Sequence, residues 1–347
     1  MPPSPPDISV VVITYNEAAR IGACLESVIA TLAGRRYDAV VVDSASQDRT
    51  VEIAARFPVK VVRLRDGGPR RPSIGRFVGE RLRRGNLVLF VDGDSVLEPG
   101  WIGPALDALA ASPDLAAVSG RSTGVLEQPD GTTLEVDQYP GVAYEDPPHL
   151  SGSALYRRAA LERAGGFNPH MLGHEEPELG ARLRAAGFRL QRLRIPMTRH
   201  YPKASRESLA ELIRRARRGY VAGLGQYARL ALARGEPPGT ALAPVARHLQ
   251  FATLLAIGAS AALASIVLRT LWPLLTWVGL MALGFGAFAL RARSLRKPAY
   301  YFAEWAVMCW PVIRGLSWRP VPPAEFAAFR VAFDVVSEGP PPDADRR

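Results

Sequence analysis

The stretch that decides the fold is GNLVLFVDGDSVLEPGW, residues 85–101. Leu87 to Val91 is an unbroken apolar run bounded by Gly85 and Gly93, the pattern of a strand buried on both faces. It leads straight into Asp92-Gly93-Asp94. Two carboxylates flanking one residue at a strand end can hold a hard divalent cation. Mg2+ or Mn2+ takes oxygen ligands and is commonly shared with substrate phosphates. Asp-Gly-Asp also makes ordinary turns, so its meaning depends on what surrounds it.

Upstream, Ile8–Thr14, Ala39–Val42 and Val59–Arg63 read as further strands. Between the first two lies a helical pattern with apolar residues at Ile21, Leu25, Val28, Ile29 and Leu32. SASQDRT, residues 44–50, reads as the cap of a second helix. Strands alternating with helices predict an α/β fold with a mostly parallel, doubly wound sheet. Ligands of such sheets bind at the carboxyl ends of the strands. Asp43, Asp92 and Asp94 follow strand ends, and Glu17 follows one after a short turn, so one rim collects these carboxylates.

From about Leu209 the texture changes. Leu209, Leu212, Ile213, Ala216, Tyr220 and Leu224 fall on one helical face, with Arg214, Arg215, Arg217 and Arg218 around it. This suits a membrane surface; a helix packed on the domain with a solvated basic side gives the same pattern. Leu249–Leu268 is 20 residues without a charge and Thr270–Leu290 is 21, each long enough to cross a bilayer. Arg247 precedes the pair, and Arg291, Arg293, Arg296 and Lys297 follow it. The positive-inside bias therefore predicts a hairpin with both ends in the cytoplasm. Tyr300–Leu316, apolar and aromatic with Glu304 and Pro311 inside, reads as interfacial or re-entrant. The expected division is a disordered 1–7, an α/β domain over 8–204, basic amphipathic interfacial helices over 205–247, a transmembrane hairpin over 248–291, an interfacial or re-entrant segment over 292–336 and a disordered tail over 337–347.

The chain has 347 residues and a net charge of +10, which suggests a polyanionic partner. The basic residues lie beside the apolar hairpin rather than among interleaved aromatics, which argues for a membrane surface and against nucleic acid. Cys24 and Cys309 are too far apart in sequence to suggest a zinc site or disulfide framework. No G-x-G-x-x-G follows the first strand, which removes the dinucleotide oxidoreductases. Met1–Pro6 has neither a basic n-region nor an apolar h-region, so a signal peptide is not expected there.

Five segments together resemble the family 2 glycosyltransferases of GT-A fold. They are VVVITYNEAARIGACLESV, AVVVDSASQDRT, GRFVGERLRRGNLVLFVDGDSVLEPGW, SGSALYRRAALERAGGF and HEEPELGARLRAAGFRLQRL, in the family's order across residues 8 to about 203. The resemblance implies an inverting transfer of a sugar from a nucleoside-diphosphate donor. It gives Thr14, Tyr15 and Glu17 to the loop that cradles base and ribose, and Asp43 to reading the base. Arg76 falls near the donor diphosphate, Asp92 and Asp94 on the D-x-D motif with Mn2+ or Mg2+, and Gly152 in a loop beside donor sugar and acceptor. The family's later Glu-Asp motif is here Glu175-Glu176, with Glu176 at the position of the general base. In some relatives a His completes the metal site, which makes His200 a further candidate ligand. The Q-x-x-R-W signature of processive synthases is absent from the sequence, which favours single transfers. The implied partners are a nucleotide-sugar donor, a lipid-linked or glycan acceptor and the bilayer, with the catalytic domain on the cytoplasmic face of the inner membrane. The alternatives are a polyprenyl-phosphate sugar synthase, or an inactive membrane-tethered binder of nucleotide sugars.

Overall fold

The computed structural model describes residues 7–339 except 69, 83, 128–130 and 202–208, with the side chains of all of these but 127, 209–211 and 218. The expected disordered ends at 1–6 and 340–347 lie outside the described residues. The chain divides into two units, residues 1–204 with 321–347 and residues 205–320.

The elements run β1 (Ile8–Thr14), α1 (Ile21–Thr31), β2 (Tyr37–Asp43), α2 (Thr50–Ala54), β3 (Lys60–Leu64), α3 (Pro72–Leu82), β4 (Leu87–Asp92) and β5 (Ser95–Leu97). Then come α4 (Ile102–Ala111), β6 (Leu115–Glu127), β7 (Thr133–Asp137), β8 (Ala154–Arg157), α5 (Arg158–Ala164), α6 (Glu175–Ala185) and β9 (Arg189–His200). The second unit holds α7 (Leu209–Arg218), α8 (Ala222–Ala233), α9 (Pro238–Leu242), α10 (Ala246–Val267), α11 (Trp272–Ala292) and α12 (Arg296–Leu316). The chain closes with α13 (Pro323–Phe326) and β10 (Phe333–Ser337).

The sheet of the first unit has the order β10-β3-β2-β1-β4-β8-β6-β9-β5, with β7 paired to β6 off this path. Alternate residues of its apolar strands face opposite sides. Val10, Val12, Val41, Leu89 and Val91 join a core with Ile21, Leu25 and Val28 of α1 and Leu109 of α4. Val11, Val40, Val42, Val88 and Phe90 join a second core with Phe77 of α3, Leu161 of α5 and Leu179 of α6. Continuous apolar strands are what a sheet covered on both faces requires. Parallel pairing is confined to β3-β2-β1-β4 and to β6 with β9. The other pairs are antiparallel, so the sheet is mixed rather than mostly parallel.

The segment expected to be interfacial over 292–336 is corrected in its second half. Residues 321–337 return to the first unit, where β10 pairs antiparallel with the outer strand β3. Asp334 accepts a hydrogen bond from Arg65 at 2.9 Å, and Glu338 pairs with Lys60 at 2.6 Å. Phe326 is fully buried under the guanidinium of Arg182, and the ring of Phe329 meets that of Phe77 edge-on. Ser337, expected in the tail, ends the strand.

In the second unit, α10 and α11 are long and apolar enough to cross a membrane, each belonging to a candidate span of mean hydropathy 1.8. No residue of α11 is buried, and in α10 only Phe251, Gly258 and Ser265 are. The pair is joined by Trp277, whose Nε1–H donates to Leu254 O at 3.0 Å while its ring fills the space left by Gly258. The single amphipathic face expected from Leu209 to Leu224 is interrupted. Gly219, at φ 73°, separates α7 from α8; Leu212 is buried, with Ala216 and Leu224 packed against the same cluster, while Ile213 and Tyr220 are exposed. Where α8 crosses α12, a Cβ on Gly225 would lie 2.8 Å from Leu316 N and 2.9 Å from Gly315 Cα.

Candidate active site

Strand register builds the rim. Thr14 lies opposite Asp43, and Ile13 opposite Asp92, so β1, β2 and β4 end together. The loops after β1 and β2 are laced to each other. Asn16 N–H donates to Ser46 Oγ at 2.8 Å, Gln47 N–H to Asn16 Oδ1 at 2.7 Å, and Glu17 N–H to Thr50 Oγ1 at 2.7 Å. Asn16 holds φ 55°, a left-handed conformation that Asn tolerates well. SASQDRT both caps and laces: Asp48 Oδ1 accepts the Thr50 N–H at 3.0 Å at the start of α2, while Ser46 and Thr50 bond the neighbouring loop.

Asp43 is fully buried, and both its oxygens are engaged by Ser46, one by the backbone N–H at 2.8 Å and the other by the hydroxyl. Burial raises its pKa, and the Ser46 bonds oppose that shift. It shapes the turn rather than presenting a free carboxylate. Thr14 Oγ1 is buried without a hydrogen-bond partner, and a Cβ on Gly93 would fall 2.9 Å from it. Gly93 is thus required by the adjacent strand. Tyr15 carries Arg70 across its ring, with Arg70 Nη1 3.1 Å from the phenol oxygen.

Arg76 stands elsewhere than the resemblance implies. Its side chain is 2% exposed, beneath the rim rather than on it. Nη1 pairs with Glu175 Oε1 at 2.5 Å, and Nη2 with Asp92 Oδ1 at 2.8 Å and Glu176 Oε1 at 3.3 Å. Nη2 also lies 3.3 Å from Gly152 O. Burial alone would lower the guanidinium pKa, but Asp92, Glu176 and Glu175 outweigh it and the net shift is upward. A guanidinium committed to these carboxylates is a structural counter-charge, not a free diphosphate ligand. Gly152 is explained by the same hub: a Cβ there would collide with Asp92 Oδ2 and fall 2.6 Å from Arg76 Nη2.

The two acidic residues at the start of α6 are set apart by this hub. Glu175 is 1% exposed, with Oε2 lacking a hydrogen-bond partner. Burial, reinforced by Glu176, pushes its pKa up to about 8. Glu176 keeps 17% of its side chain exposed and shares Arg76 Nη2 with Asp92. The D-x-D and Glu-Glu motifs therefore meet through one arginine.

Asp94 and His200 meet directly, with His200 Nε2 3.1 Å from Asp94 Oδ2 and both side chains partly exposed. Pairing of β5 with β9 sets this contact, since Ser95 lies opposite His200 and Tyr201 N–H donates to Asp94 O at 3.0 Å. Asp92 keeps 30% exposure, but its Oδ1 is held by Arg76. Among the described residues no three His, Cys, Asp or Glu side chains form a ready-made metal cluster. The motif reading left Arg70, Ser46 and Gln138 without site roles. Arg70 lay in a loop of several arginines, and no local pattern marks Gln138, whose Nε2 is 2.6 Å from His200 Nδ1.

Residues 9–165 match the sequence family Glycosyl transferase family 2. Glycosyltransferase AglE of Haloferax volcanii is 25% identical over 197 residues, 53% of this chain and 64% of its own length. Dolichol-phosphate mannosyltransferase of Pyrococcus furiosus is 29% identical over 113 residues, covering 31% and 32%. The chain thus spans less than two-thirds of the length of these curated relatives. The mannosyltransferase PcManGT from Pyrobaculum calidifontis, solved with GDP-Man and Mn2+, shares the fold at a TM-score of 0.56 and 24% identity, covering 91% of this chain and 88% of its own.

Proposed function

We propose that this chain, whose residues 9–165 match the family 2 glycosyltransferases and whose first unit has a GT-A fold, is an inverting glycosyltransferase that moves a sugar from a nucleoside-diphosphate donor to a hydroxyl of a lipid-linked glycan at the cytoplasmic membrane face. The observation that carries it is the hub at Arg76, which brings Asp92 of the D-x-D and the partly exposed Glu176 onto one guanidinium. The donor's base and ribose would lie along the laced loops at Tyr15–Glu17, over the floor formed by Thr14 and Asp43. Glu176 takes the proton from the acceptor hydroxyl as its oxygen attacks the anomeric carbon. The bond to the diphosphate breaks on the opposite face, and the nucleoside diphosphate leaves with that electron pair. Arg76 holds Glu176 and Asp92 in place beneath this step.

The residues present fit one Mn2+ or Mg2+. Asp94 Oδ2 and His200 Nε2 form an adjacent oxygen and nitrogen donor pair open to the rim, and Asp92 stands beside Asp94 on the same strand end. Water and diphosphate oxygens would supply the remaining ligands, as is usual for such cations at phosphates. Bound there, the cation would neutralise charge on the leaving diphosphate. The apolar pair α10 and α11, with few buried residues, with Arg291 in its last turn and with Arg293, Arg296 and Lys297 after it, supports membrane anchoring.

The test is Glu176→Gln, which keeps size and cannot accept the proton. General-base help contributes roughly 10²–10⁴-fold, so kcat is expected to fall by about that factor with donor affinity little changed. Slow donor hydrolysis serves as the assay until the acceptor is known. A second reading, a polyprenyl-phosphate sugar synthase, is favoured by the dolichol-phosphate mannosyltransferase relative. There the acceptor is already an anion, and sugar transfer to a polyprenyl phosphate would survive Glu176→Gln with its rate undiminished.

A further inference from the structure

Beside the rim stands a polar cluster that the proposed transfer does not yet use. Gln138 follows β7, and its backbone N–H donates to Ser122 O at 3.0 Å. Its Oε1 accepts the Ser122 hydroxyl at 2.5 Å, and its Nε2 is 2.6 Å from His200 Nδ1. Ser122 Oγ in turn accepts the Thr198 hydroxyl at 2.9 Å. Ser122 and Thr198 are buried and stand opposite each other in the β6–β9 register. Gly124 makes room, since a Cβ there would lie 3.3 Å from Gln138 Cγ. The far nitrogen of the same imidazole faces Asp94.

Resting on the metal reading above, we propose that Gln138 is a positioning residue that sets the tautomer and ring orientation of His200 for cation binding. A neutral imidazole has one N–H and one lone pair. For Nε2 to offer its lone pair to a cation, the proton must sit on Nδ1, and Nδ1 must donate. Gln138 serves by turning its amide oxygen to the ring. Its NH2 then donates to Ser122 Oγ, and Ser122 donates on to Thr198. Hydroxyls both donate and accept, so the whole relay reverses with each contact kept. In the opposite polarity the amide NH2 donates to Nδ1, and Nε2–H donates to Asp94. An amide backed by two buried hydroxyls supports both states, which an acceptor-only or apolar residue cannot do.

Partners of this kind at a metal-binding His typically carry about 10–100-fold in metal affinity. The experiment titrates Mn2+ alone onto the full-length protein and reads free Mn2+ by electron paramagnetic resonance. Gln138→Met keeps the length of the side chain but can neither donate nor accept effectively, and is expected to weaken Mn2+ binding about 10–100-fold. Gln138→Glu can only accept, holds the proton on Nδ1, and is expected to bind Mn2+ at least as tightly as the wild type. Equal affinity in all three proteins, or the same loss in both variants, overturns the role of Gln138 and leaves the metal reading standing. If the Met variant fails to fold by its melting curve, weaker Mn2+ binding by the Glu variant overturns the role, and binding as tight as the wild type supports it. A wild-type protein that binds no Mn2+ overturns the metal reading, and this inference with it.

Discussion

At the scale of single residues, the site is organised around one guanidinium, Arg76, that is almost wholly withdrawn from solvent. Arg76 was legible as important because of its place in the matching segment. Its depth was not, since a guanidinium that binds phosphate and one that binds buried carboxylates look alike in sequence. The same holds for Glu175 and Glu176: adjacent in sequence, they differ in exposure, 1% against 17%, because α6 begins with one turned inward and one outward. Removing the central charge leaves Asp92 and Glu176 without compensation and Glu175 Oε1 without its hydrogen-bond donor. Breaking a buried pair in this way costs about 3–5 kcal/mol. Arg76→Met is therefore expected to lower stability by that amount in chemical denaturation, with Arg76→Lys affected less. An Arg76→Met protein of wild-type stability that had lost only donor affinity would return the residue to the diphosphate.

At the scale of elements, the apolar strands β1 to β4 were readable because a doubly covered strand needs unbroken hydrophobic sequence. Their boundaries shifted by only a few residues. The short strands β5 and β10 were not readable, because each owes its pairing to a partner far away in sequence, β9 and β3. The break between α7 and α8 hid behind a periodic pattern that continued past Gly219. Glycines also mark where helices touch. A Cβ on Gly225 would fall 2.8 Å from Leu316 N, whereas one on Gly279 in α11 would meet nothing within 4 Å. Overpacking of a tight crossing costs about 1–3 kcal/mol, while Gly to Ala in an open helix gains up to about 1 kcal/mol. Gly225→Ala is thus expected to lower the melting temperature in detergent micelles, and Gly279→Ala to leave it unchanged or raise it. Equal effects would mean that α8 and α12 do not cross at glycine.

At the scale of the whole molecule, the α/β domain and the apolar hairpin were both legible, the first from ordered motifs and the second from length and flanking charge. The closing strand was not, because FDVVS alone does not reveal that β3 is its partner. The membrane reading predicts that Thr270→Cys, at the turn between α10 and α11, reacts with an impermeant thiol reagent in whole cells. Arg234→Cys and Arg319→Cys are expected to stay protected. Labelling at both Thr270→Cys and Arg319→Cys would be incompatible with β10 lying on β3. The reason is one of parity. A polypeptide stitched at both ends into one sheet can pass through a layer of lipid only an even number of times. If α10 and α11 make two passages, α12, at 21 residues long enough for a third, has to end on the side where it began.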